Sequence, residues 1–209
     1  DEKVTAEIKN FKGFTYDETN GNNNVTGTVA GDGSLVLKVY YTRNSYTLKL
    51  EKDENVENVT GKSIEKNIGI NVDDSTGQAS FKFEQPIQIN ATLKSEVGYD
   101  ITFVKWQSNN TDLLDDKFEN QVDFEMPSGN LTLKAISNKS ANTVDYTVEH
   151  YYQVNGEYSN TPDESVTRKA ETDVEVFVTD KDKIATKDGY VFDETKNVNL
   201  SGKVKGDGS

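Results

Sequence analysis

Residues able to do chemistry are few in this 209-residue chain: one histidine, His150, and no cysteine. No cysteine–histidine or multi-histidine metal constellation can be assembled from that stock. A lone histidine in strand-like sequence reads as a structural residue, not as the base of a nucleophilic triad. The acidic pairs Asp17-Glu18, Asp73-Asp74 and Asp115-Asp116 fall in turns or at strand ends. General acid–base work would need them enclosed, and nothing in the surrounding sequence suggests a pocket. We therefore expect no catalytic residue and no enzymatic activity.

Two clusters have a binding character. Asp17, Glu18, Asn20, Asn22 and Asn24 crowd one oxygen-rich loop, the ligand type that Ca2+ prefers. Their spacing departs from the D-x-[DN]-x-[DN]-G calcium-loop pattern. A related loop later in the chain keeps Asp193 and Glu194 but offers fewer oxygens. No cofactor is expected, and calcium at Asp17, Glu18, Asn20 and Asn22 is the one metal candidate. Tyr151, Tyr152 and Tyr158 gather beside a turn and form a candidate glycan platform, against the plainer reading of cross-strand aromatic pairing. Trp106, the single tryptophan, lies in phase with Val104 in a strand and reads as core.

The elements that would position these residues are short strands. Hydrophobic residues make up only 33% of the chain, so thin cores in several small modules are expected instead of one large core. The net charge of -13 repels phosphate backbones and anionic lipid, which argues against nucleic-acid partners. No run approaches the roughly 18 apolar residues of a membrane span, and no membrane insertion is expected. The first ten residues lack the pattern of a signal peptide, so any signal or anchor is expected outside this segment.

The two ends of the chain repeat one another. GFTYDETN at 13–20 matches GYVFDETK at 189–196, and TGTVAGDGS at 26–34 matches SGKVKGDGS at 201–209. The first copy continues into Leu35-Val36-Leu37-Lys38-Val39-Tyr40-Tyr41-Thr42, whose β-branched and aromatic content marks a strand. We expect the second copy to lack that strand. Its open sheet edge could be capped head-to-tail by the equivalent strand of a neighbouring molecule.

Between the repeats, alternation with period two dominates. Tyr46, Leu48 and Leu50 share a face, as do Ile87, Ile89, Ala91 and Leu93, then Leu131, Leu133 and Ala135, and finally Val144, Tyr146, Val148, His150 and Tyr152. Turn residues punctuate these runs at Asp74–Gly77, Pro127–Asn130, Val154–Gly156 and Asp188-Gly189. Small helical turns are expected at most near Asp112–Phe118 and Asp180–Ile184. The fold class is thus mainly β with small α content. Module boundaries are read as residues 1–44, 45–142 and 143–209.

The stretch from Tyr46 to about Ile136, with SYTLKLEKDENVENVTG, IQINATLKSEVGYDITFVKW and VDFEMPSGNLTLKA, resembles the divergent internalin-type B-repeat. VDYTVEHYYQVNGEYS through GYVFDETKNVNLSGKVKGDGS, continued in the first copy by LVLKVYYTRNSYT, resembles the mucin-binding-protein repeat. The resemblance implies tandem β-grasp or ubiquitin-like modules in an elongated array, on the surface of a Gram-positive bacterium, with a cell-wall anchor elsewhere. On it, residues 1–44 are the C-terminal part of a mucin-binding-like repeat, 45–142 a B-repeat-like module, and 143–209 a further mucin-binding-like repeat. The function implied is a stalk that projects a distal adhesin domain, its partners being neighbouring repeats. The alternative is a module that binds mucin glycan or a host receptor through exposed tyrosines.

Overall fold

The computed structural model describes residues 2–110, 113–114, 117–196 and 200–208. The fold is mainly β, and no helix occurs among the described residues. By compactness the chain falls into two units, Asp1–Leu93 with Phe103–Ser137, and Lys94–Thr102 with Asn138–Ser209.

The first unit opens with four short strands, β1 (Lys3–Thr5), β2 (Phe14–Tyr16), β3 (Thr26–Thr28) and β4 (Tyr41–Arg43). They pair antiparallel as β1 with β3 and β2 with β4. Longer strands follow: β5 (Ser45–Lys52), β6 (Val56–Ser63), β7 (Gln78–Lys82), β8 (Pro86–Leu93), β9 (Tyr99–Ser108), β10 (Gln121–Glu125) and β11 (Leu131–Ala141), of which β9 from Phe103 onward and β11 up to Ser137 fall in this unit. They build two sheets, ordered β10-β8-β6 and β7-β5-β11-β9.

Alternation puts Leu48 and Leu50, Ile87 and Ile89, and Leu131 and Leu133 into one buried cluster with Phe81, Trp106 and Met126. The two sheets thus share a single apolar interior, each buried aliphatic side chain contributing about 1.5–3 kcal/mol. β5 and β11 pair in parallel, Leu48 opposite Leu131 and Lys52 opposite Ala135. The strands between them in sequence provide the crossover that a parallel pair requires.

Two polar devices close this unit. Asp53, in the β5–β6 turn, accepts from Ser137 N at 2.6 Å and from Ser137 Oγ at 2.8 Å. Burial opposes its ionisation, but these donors and the Asn55 amide outweigh burial and hold its carboxyl below the ordinary aspartate value. Gln85 is fully buried, yet its side chain accepts from Lys82 N at 2.8 Å and donates to Ser63 Oγ at 2.9 Å, so neither polar atom is stranded.

The second unit carries β12 (Thr143–His150), paired antiparallel with β13 (Glu164–Glu171), and β14 (Glu175–Phe177), paired with β15 (Ser201–Lys203). The expected helical turn at Asp180–Ile184 is instead a single hydrogen-bonded turn. Thr179 O accepts from Asp182 N at 3.0 Å and from Lys183 N at 3.3 Å. The next helical bond would run from Ile184 N to Asp180 O, but Ile184 N donates to Lys181 O at 3.3 Å. Further along, a bond from Thr186 N to Asp182 O is also unavailable: Asp182 O accepts from His150 Nε2 at 3.0 Å, and Thr186 N donates to Tyr152 Oη at 3.3 Å. Within the other expected helical patch, Asp112, Asp115 and Asp116 lie outside the described residues, and Leu113-Leu114 forms a bend with Leu114 buried.

The sequence repeat is also a repeat of backbone. β15 stands where β3 stands in the first copy, and β14 takes the place of β1. Lys3, Val4 and Thr5 lie opposite Thr28, Gly27 and Thr26, as Glu175, Val176 and Phe177 lie opposite Lys203, Gly202 and Ser201. The flanking bonds repeat as well. Ala6 N donates to Val25 O at 2.7 Å and Val178 N to Leu200 O at 2.8 Å; Val29 N donates to Glu2 O and Val204 N to Val174 O. Gly13 and Gly189 both have positive φ, 81° and 85°, the left-handed conformation that favours glycine.

Candidate functional site

The oxygen-rich loop is built as a turn. Asp17 Oδ1 accepts from Thr19 N at 3.1 Å and Thr19 Oγ1 at 2.7 Å, and Asn20 Oδ1 accepts from Asn22 N at 3.0 Å. Asn23 Nδ2 donates to Asp17 O at 2.6 Å. These oxygens satisfy local amides, the usual work of Asp and Asn in turns. Asp193 repeats the device with Thr195 N at 2.9 Å and Thr195 Oγ1 at 2.6 Å. Among the described residues no three His, Cys, Asp or Glu side chains gather as a metal-binding group.

The acidic pairs divide. Asp73 accepts from Ser75 N, Ser75 Oγ and Thr76 N, with the Ser75 hydroxyl foremost in lowering its carboxyl below the ordinary value. It borders a mainly polar cleft of about 760 Å3 that Asp74, Lys62 and Gln88 also line. A carboxylate held ionised by turn amides is poorly suited to carrying a proton near neutrality. Asp115 and Asp116 lie outside the described residues.

A wider concavity than that cleft belongs to the second unit. It is an open groove of about 1440 Å3, and Tyr151, Tyr152 and Tyr158 all line it. They do so differently. Tyr152 is buried, its ring 4.8 Å from that of Tyr190 and its hydroxyl 3.0 Å from Thr186 Oγ1. Lys187 Nζ sits over both rings, 5.5 Å from Tyr152 and 5.1 Å from Tyr190. Tyr151 and Tyr158 are 40% and 38% exposed, so these two alone could offer a ring to a ligand from outside. Tyr151 Oη donates to Glu149 at 2.7 Å and Tyr158 Oη to Asp193 at 3.2 Å. The Glu149 carboxylate raises the Tyr151 phenol above its ordinary value; desolvation and then Asp193 do the same for Tyr158.

No family model, curated protein or solved structure matches the chain.

The groove lining includes Asp182, which belongs to an ion pair that the sequence did not reveal. Arg168 on β13 grips the Asp182 carboxylate with both terminal nitrogens, Nη1 at 2.8 Å from Oδ2. Thr179 N and Oγ1 each donate to the same Oδ2 at 2.7 Å. Arg168 foremost, and then Thr179, keep this buried carboxyl far below the ordinary aspartate range despite the opposing cost of desolvation. His150 packs on the same turn. Since the Asp182 carbonyl can only accept, Nε2 carries the imidazole proton, and Nδ1 is buried with no partner among the described residues. The lone histidine thus positions a turn. Trp106 is 2% exposed, within the interior of the first unit and 5.8 Å from the Phe103 ring. The signals for the ion pair were faint: one Arg on a strand and one Asp in a charged run.

Proposed function

We propose that this chain is a spacer segment from the stalk of a bacterial cell-surface adhesin, working by length and not by chemistry. The observation that carries this reading is that one backbone pattern, the β1–β3 pair with its flanking bonds, recurs as β14–β15 on either side of a module of a different kind. A chain that reuses small β modules in series gains length with each copy, and each module mainly contacts its neighbours. The resemblance to mucin-binding-type and B-repeat-type sequences supports the same reading, as does the charge of -13, which keeps closely spaced copies soluble. The tandem β-grasp arrangement, the extracellular location and a cell-wall anchor elsewhere belong to this proposal.

The test is to vary the number of copies of this chain between a surface anchor and a reporter binding domain. Reach from the cell surface should increase with each copy, and the chain alone should show no saturable binding to mucin. Saturable mucin binding by the chain alone would overturn the spacer reading.

One observation favours a second reading, that of a glycan- or receptor-binding module: exposed Tyr151 and Tyr158 border a groove that also carries acidic acceptors, Glu149 and Asp193. On that reading, Tyr151→Ala with Tyr158→Ala abolishes binding to a mucin glycan array and leaves folding intact. Changing Tyr152 alone would not be informative, because its ring is part of the interior.

A further inference from the structure

We propose that the groove of the second unit is an acceptor slot for a β-strand, and that the strand it takes has the sequence Leu35–Arg43. The inference stands on the internal repeat and holds whether or not the chain serves as a stalk.

The first copy shows what this backbone pattern binds. β2 pairs with β4 in the register Phe14 opposite Arg43, Thr15 opposite Thr42 and Tyr16 opposite Tyr41. The ladder continues on both sides, with Asp17 N donating to Tyr40 O at 3.0 Å and Asn44 N to Gly13 O at 2.8 Å. Upstream in the same segment, Leu35 lies against Gly27 of β3 so closely that a Cβ at position 27 would collide with its side chain. Leu35–Arg43 therefore covers β2 and β3 together.

The second copy has the same acceptor groups uncovered. Tyr190, Val191 and Phe192 occupy the places of Phe14, Thr15 and Tyr16, and their backbone makes no hydrogen bond among the described residues. Gly202 occupies the place of Gly27, and nothing lies within 4 Å of where its Cβ would be. Tyr190, Val191, Phe192 and Gly202 all line the groove. A segment with unpaired backbone beside an open groove of mixed apolar and polar lining is what strand addition uses: main-chain bonds give affinity and side-chain seats give register. The occupant's register follows from the first copy, Arg43 opposite Tyr190, Tyr41 opposite Phe192 and Leu35 over Gly202. The chain's own Leu35–Arg43 is already committed to β2, so the donor is a further copy of that sequence and not a strand exchanged between two molecules.

The test uses the whole chain with a synthetic peptide, LVLKVYYTR, and a scrambled control. A second arm is a chain carrying the same nine residues after Ser209. Hydrogen exchange at Tyr190–Phe192 should slow about tenfold or more in both arms, as expected for newly formed backbone bonds, and not with scrambled sequence. Gly202→Val should remove the effect in both arms by filling the seat of the incoming leucine, while protection of β14 and β15 in the free chain stays unchanged. Equal exchange with native and scrambled sequence overturns the proposal. A molecular mass that rises with concentration in the chain alone, with protection appearing at Tyr190–Phe192, overturns the assignment of the donor, since the strand would then pass between molecules.

Discussion

The two units hold themselves together by different means. In the first, two sheets share a buried apolar cluster with Phe81, Ile87, Ile89 and Leu133 fully excluded from water. In the second, the buried apolar side chains among the described residues are Val148, Tyr152 and Val204, and they are joined by buried Thr172 and Asp182. One unit depends on area removed from water, and the other on a few directed polar contacts around a turn. The difference teaches where each should be fragile. An apolar interior spreads a loss over many neighbours, whereas a carboxylate with four donors concentrates stability in one residue.

The largest effect is expected from Phe81→Ala, which should cost the first unit about 3–5 kcal/mol. Hydrogen exchange should then rise across β5–β8 while β12 and β13 keep their protection; equal loss in both units would mean that they unfold as one. Next comes Asp182→Ala, for which a loss of about 2 kcal/mol is expected from stranding donors now bonded to a charged acceptor. Its signature is faster exchange in β13 and in the 179–184 turn, with the sandwich unaffected.

Acid should act on both units through those of the lowered carboxyls that are withdrawn from solvent, Asp53 in the first and Asp182 in the second. A carboxyl whose folded pKa lies below its unfolded value, about 3.9, stabilises fully above that value and loses the contribution as pH falls through the folded pKa. Thermal midpoints should therefore hold steady from neutrality to about pH 4 and fall below it. Asp53→Asn should flatten that fall in the first unit, and Asp182→Asn in the second. The smallest effect is expected from Tyr151→Phe, which removes an exposed hydroxyl donating to Glu149 and should leave the melting curve unchanged.

Much of the strand content was legible in the sequence because one face of each long strand is buried, so period-two alternation at Leu48–Leu50, Ile87–Ala91 and Leu131–Ala135 carries through to the core. The end-to-end repeat was legible where side chains fix backbone, as in GFTYDET and GYVFDET with their shared glycine and aspartate turn. It was not legible at β1 and β14. Lys3-Val4-Thr5 and Glu175-Val176-Phe177 share only a valine, since strands paired through backbone place few demands on their exposed side chains. The helical reading at Asp180–Ile184 was sound locally, because Thr179 and Asp182 bond reciprocally as at a helix start. What stopped the helix begins in the turn itself, where Ile184 N bonds back to Lys181 O, and continues with distant residues, His150 and Tyr152, which take the Asp182 carbonyl and the Thr186 amide. The tyrosine trio was recognisable as a cluster, but the inward turn of Tyr152 depends on Tyr190, thirty-eight positions away.

The side-by-side parallel run of β5 and β11 has a mechanical consequence. Traction that enters at Ser45 and leaves past Ala135 pulls the two strands lengthwise past each other. The bonds between Leu48–Lys52 and Leu131–Ala135 are then strained together and not opened one after another like a zip. Under such traction the pair is expected to give way abruptly and not progressively, which single-molecule pulling from these two ends would measure.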